Sequence, residues 1–151
     1  MHATPYTAAQ IRDATKPGRT YRYRVEAEGL PAGQKTMTFT SVDAAGAEVS
    51  TDGAAPTRVT WDELRKHAEF PEPVVSTREE KITVPAGTFD CTVYVVQGEP
   101  GEVRTFYFAK ALPGAPVLFF TTKDGKRVMT STLVEHRASG AVAVAAPAHG
   151  R

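Results

Sequence analysis

Cys91 is the one thiol in the chain and follows Asp90 directly in VPAGTFDCTVYVV, residues 84–96. A thiol nucleophile needs a base, usually a histidine, and nearby positive charge or a helix N-terminus to lower its pKa. The alternation around Cys91 instead puts it in mid-strand on the face of Phe89 and Val93. Burial there raises a thiol pKa, so the expected role is that of a small buried hydrophobe. A lone cysteine forms no internal disulfide and no thiolate metal quartet. It leaves the redox compartment open.

The histidines are His2, His67, His136 and His149, and no pair has HxH, HxxxH or HExxH spacing. No metal site is expected from them. Asp62 and Glu63 fit the acidic preference of a helix start. Glu79, Glu80 and Glu135 lie on expected strands, and Asp90 points away from Cys91. Asp90 reads first as a turn-proximal residue bonding its own backbone or pairing with a neighbouring strand. An enzyme reading would make Asp90, His67 or Tyr23 the acid/base group. There is no GxSxG, Walker loop or GxGxxG, and every glycine is a single turn residue. No catalytic residue and no cofactor are assigned.

Lys and Arg number 18 against 17 Asp and Glu, a formal net charge of +1. That balance supplies no field for neutralising phosphates, so no nucleic-acid partner is expected. Two local basic clusters, Arg19, Arg22 and Arg24, and Lys123, Lys126 and Arg127, are expected on solvated faces. No run approaches the ~18 apolar residues of a membrane span. The start, MHATPYTAAQ, lacks a basic n-region and an apolar h-region. The chain therefore reads as cytoplasmic as written, or as periplasmic or secreted if a signal segment was removed.

These groups must be positioned by elements that the pattern makes legible. Thr7 is a helix N-cap with Gln10 completing a capping box, Tyr6 and Ile11 suit a hydrophobic staple, and Pro17-Gly18 end the helix. TYRYRVEAE then alternates, with Tyr21, Tyr23, Val25 and Ala27 on one face, as a half-buried strand should. LPAGQ is a turn, QKTMTFTSV returns, and DAAGAEV turns again into a third short strand. Residues 52–58 read as a loop. Thr60 caps a second helix, 60–69, with Glu63 closing the box, and Pro71 and Pro73 stop it. Strands are expected over 76–84, 88–97, 102–109, 116–122 and 127–135, joined by Pro-, Gly- and Asp-bearing turns. Val84-Pro85-Ala86-Gly87 has the composition of a tight turn with glycine at a left-handed position. One domain over 1–137 is expected, with 138–151 (ASGAVAVAAPAHGR) a disordered tail.

The surplus of aromatic and aliphatic residues on the strands is the one positive functional hint. Tyr21, Tyr23, Met37, Phe39, Phe106, Phe108 and Phe119, with Trp61 on the second helix, could line an apolar ligand site under a covering helix. A closed core filled by the same side chains has the same sequence pattern.

The stretch ITVPAGTFDCTVY, with FYFAKALPGAPV and TLVEH after it, resembles bacterial proteins in which a PAGTFDC hairpin is followed by an aromatic strand and a PG-P turn. Those resemble in turn the lipoprotein-localisation (Lol-type) carrier superfamily. The resemblance covers residues 82–135 and implies an unclosed antiparallel barrel with helices across its mouth, holding acyl chains or other apolar ligands. It carries over no catalytic residue.

The combined expectation is an α+β, mostly β, fold: a strongly curved antiparallel sheet of seven to nine strands with two short helices against it. A non-catalytic module holding an apolar or lipid-like ligand comes first. A structural or protein-interaction domain with a solid core, dimerising through a sheet edge, is the alternative, and a small enzyme acting on an apolar substrate the third.

Overall fold

The computed structural model describes residues 4–69 and 75–139, with Val75 described by its backbone. Most of the expected tail, and the two prolines expected to stop the second helix, lie outside the described residues. The elements run α1 (Ala8–Ala14), β1 (Thr20–Ala27), β2 (Gly33–Val42), β3 (Gly46–Thr51), β4 (Thr57–Thr60), α2 (Trp61–Lys66), β5 (Val75–Val84), β6 (Gly87–Gln97), β7 (Glu102–Ala109), β8 (Leu118–Lys123) and β9 (Lys126–Arg137). All nine strands join one antiparallel sheet, ordered β4-β3-β2-β1-β9-β8-β7-β6-β5 and not closed into a barrel. No helix among the described residues is long and apolar enough to cross a membrane.

The local chemistry explains where the helices begin. Thr7 Oγ1 accepts from the Gln10 backbone N–H while Gln10 Oε1 accepts from the Thr7 N–H. Thr60 and Glu63 do the same at α2. Each box satisfies two donors that a helix start leaves unpaired. Both helices are too short to persist alone and depend on the sheet for stability. Tyr6, expected to staple to Ile11, reaches the sheet: its hydroxyl donates to the Ala109 carbonyl at 2.5 Å and its ring meets Phe108 edge-on.

One strand was not expected. Residues 57–60, partly assigned to a loop, form β4 along β3, with Gly46 opposite Thr60. Four residues, three of them exposed, are too short and too open a stretch to show a period. Gly46 matters at this junction, because a Cβ there would collide with the Val59 carbonyl oxygen. The two chains can pair this closely only without a side chain at 46.

Strand register sorts the side chains into two faces. Tyr21 stands opposite Met37, Phe39 opposite Val49, and Phe106 opposite both Tyr94 and Phe119, all on the face covered by the helices. Cys91 stands opposite Ala109 and Val93 opposite Tyr107 on the other face. Strands β6 and β7 are therefore buried on both sides, which explains why FYFA is apolar without interruption. The second face is covered by curling. The turn after β5 folds back so that the Ala86 N–H donates to the Leu133 carbonyl on β9 at 3.3 Å. Val93 is fully buried on that second face, and Leu133, opposite Tyr23 on β1, is fully buried on the first.

Candidate functional site: an apolar recess and a buried arginine

The helix-covered face holds a recess of about 200 Å³. Strands β2 and β7 supply Met37, Phe39, Phe106 and Phe108, and the helical layer supplies Ile11, Leu64, His67 and Ala68. Gly114, Ala115 and Pro116, from the connection between β7 and β8, close one end. A second hollow of about 270 Å³ opens between α2 and the β2–β4 end of the sheet. It shares Met37, Phe39, Leu64 and His67 with the first. These four side chains thus stand along a groove that follows the underside of α2. Its lining is almost wholly hydrocarbon and aromatic, and His67 is the one titratable side chain among the lining residues. A larger hollow, about 580 Å³, is an open depression on the opposite face, where Glu26, Glu28, Arg127 and several threonines make the lining polar.

Of the residues expected at a ligand site, Met37, Phe39, Phe106 and Phe108 come together in the recess. Phe119 stands behind, stacked on Phe106 at 4.5 Å. Trp61 is buried at the start of α2, and its indole N–H donates to the Asp43 carbonyl at 3.0 Å. That bond ties α2 to the β2–β3 turn and leaves Trp61 outside the lining. Tyr21 and Tyr23 are buried beside the recess rather than in its wall. Tyr23 donates to the Pro116 carbonyl at 2.8 Å, so it fixes the connection that closes the recess. Burial pushes the phenols of Tyr6, Tyr21 and Tyr23 above their ordinary pKa.

The basic cluster at the start of β1 requires a correction. Arg22 and Arg24 are solvent-facing and paired with Glu135 and Glu26, but Arg19 is 1% exposed. Its Nε donates to His136 Nε2 at 3.0 Å, and its Nη1 donates to Thr15 Oγ1 at 3.0 Å and to the Pro113 carbonyl at 2.7 Å. Its guanidinium carbon lies 4.8 Å from the centre of the Tyr21 ring, a cation–π contact. The guanidinium thereby joins the end of α1, the β7–β8 connection and the end of β9. His136 accepts from it and packs edge-on against Tyr21 at 5.0 Å. Burial, and the Arg19 charge after it, pull His136 down to about 4, so the ring is neutral at pH 7.

Of the other residues weighed as chemical groups, Glu79, Glu80, Asp90 and Cys91 border one open hollow of about 300 Å³ with Lys81 and Lys110, and neither His67 nor Tyr23 is part of it. Cys91 is buried on the opposite face, and burial pushes its thiol up to about 11. Asp90 is exposed and faces Lys81 at 3.8 Å. Among the described residues no group of three metal-ligating side chains comes together.

No family model and no curated protein sequence matches the chain. The fold is similar to solved structures. MucB in the Pseudomonas aeruginosa MucA/MucB complex matches at a TM-score of 0.52 and 12% identity, over 88% of this chain and 56% of that one. MucB in complex with MucA(peri) matches at 0.55 and 10%, over 88% and 55%. An exported protein of Bacteroides fragilis with a YmcC-like fold aligns at 0.45 and 9%, over 82% and 97%, too loosely to carry an argument. The chain thus spans little more than half the length of the MucB chains it matches, and what it shares with them is an architecture.

Proposed function

We propose that this chain is a non-catalytic binding module that holds an apolar or lipid-like ligand in the groove between the sheet and α2. The observation that carries this reading is the recess itself. Side chains from two strands and both helices leave an apolar hollow at a place where a solid core would have filled it. Apolar pockets of this kind between a sheet and a covering helix are ordinary ligand sites. A hydrocarbon chain there would gain about 0.8 kcal/mol for each methylene it buries.

The test is displacement of the neutral probe N-phenyl-1-naphthylamine by dodecanol, with Met37→Trp as the blocked variant. Met37 borders both hollows and is only half-buried, so an indole there fills the groove without disturbing the interior. The expected outcome is a drop in dodecanol affinity of about tenfold or more with thermal stability kept. Equal displacement from both proteins defeats the proposal.

A second reading, a protein-binding domain, draws on the two MucB structures, each of a complex with MucA. Under it the groove receives apolar side chains of a polypeptide, and dodecanol would not displace the probe from the unaltered chain.

A further inference from the structure

We propose that Arg19 and Tyr21 form the head-group end of the groove, and that the ligand class is a single-chain amphiphile with a carboxylate head. The inference rests on the reading of the groove as a ligand site and adds the chemistry of its inner end.

An arginine this deeply buried ordinarily meets a carboxylate, because an uncompensated charge taken out of water costs several kcal/mol. Among the described residues no acidic side chain pairs with Arg19. Its neighbours are a threonine hydroxyl, a carbonyl, a neutral imidazole and a tyrosine ring. Those contacts are made through Nε and Nη1. The Tyr21 hydroxyl beside it is buried; the Ala115 backbone N–H approaches its oxygen, and its own proton has no acceptor among the described residues. A buried arginine without a carboxylate and a buried hydroxyl with an unmatched proton, side by side, are rare in a finished core. They match what a carboxylate requires, since its oxygens accept charge-assisted bonds from a guanidinium and a further bond from a hydroxyl.

The position of the pair points to the groove. A Cβ on Gly114 would collide with the Tyr21 hydroxyl and lie 3.2 Å from Arg19 Nη1, and Gly114 is itself part of the recess wall. The absent side chain lets both polar groups come up to the wall, and the positive φ of 145° there suits only glycine. An acyl chain along Met37, Phe39 and Phe106 would bring its carboxylate to Gly114. To meet Arg19 and Tyr21 the head would have to pass the Gly114–Pro116 connection, which is held by the Tyr23 and Arg19 bonds to the Pro116 and Pro113 carbonyls.

The experiment compares laurate, dodecanol and dodecyl phosphate as competitors of the same neutral probe, on the unaltered chain and on Tyr21→Phe. The substitution keeps the ring and removes a hydroxyl whose proton is unmatched, so folding is retained. Laurate is expected to bind at least about tenfold tighter than dodecanol, and Tyr21→Phe to weaken laurate about three- to tenfold while leaving dodecanol unchanged. Equal affinity for laurate and dodecanol overturns the head-group assignment and leaves the apolar groove standing. An unchanged laurate affinity in Tyr21→Phe does the same. Tighter binding of dodecyl phosphate than of laurate overturns the carboxylate in favour of a phosphate monoester. If none of the three displaces the probe, the ligand reading of the groove falls and the head-group assignment with it.

Discussion

At the scale of single residues, the environment of Arg19 sets the behaviour of His136. The imidazole accepts from a permanently charged guanidinium in a half-buried place, so its protonated form is penalised by both burial and charge. In the unfolded chain the ring titrates near 6.5 and in the fold at about 4. Between those values the unfolded state binds the extra proton. Stability is therefore fully present above about pH 6.5 and declines as pH falls towards 4. Solvent screening reduces the effect at a partly exposed ring to an order of 1 kcal/mol. Urea unfolding at pH 7 and pH 5, run beside His136→Gln, checks this: the substituted protein should lose less stability over that interval. A steeper loss in His136→Gln than in the unaltered chain is the contrary result.

At the scale of elements, α2 roofs the groove and is also the most dependent on its cap. Its helical span is six residues, its capping box is complete, and its indole is tied to the β2–β3 turn. Thr60→Ala removes the acceptor for the Glu63 N–H and should cost about 1 kcal/mol. Because Leu64, His67 and Ala68 depend on that helix, dodecanol affinity should fall in parallel with the loss seen in thermal melting. A capping variant that melts early yet binds normally would show that α2 is not part of the binding surface.

At the scale of the whole molecule, the sheet joins an outer sector, β1 to β4, to a curled sector, β5 to β9, through the β1–β9 pairing. Leu133 stands at that seam, fully buried, with its N–H donated to Val117 and its carbonyl accepting from Ala86. Leu133→Ala should cost about 2–5 kcal/mol, the range for emptying a core position. We expect far-ultraviolet circular dichroism and Trp61 fluorescence to report one coincident unfolding transition, because Trp61 reports the outer sector and strand content reports both. Two separated transitions would show that the sectors fold independently.

Much of this was legible in the chain. Alternation placed β1 and β6, capping boxes placed both helix starts, and Pro-, Gly- and Asp-bearing turns separated the last five strands. These are local signals, set by backbone sterics and by a period of two or 3.6 residues. Arg19 was misread because its type suggested solvent, although it is in phase with Tyr21 and Tyr23, two and four residues on. That parity was the available signal. Its burial follows from contacts with residues 113 and 136, which no local window includes. The aromatic face was likewise foreseeable as a set. Which members surround a hollow and which fill the core depends on where α2 lands and how the β7–β8 connection folds. The sequence by itself determined the strands, their two faces and the helix caps, because those arise from neighbours along the chain. Only the tertiary structure decided that four of the apolar residues border a recess and that a buried guanidinium stands behind Gly114 of its wall, because both result from packing between segments remote in sequence.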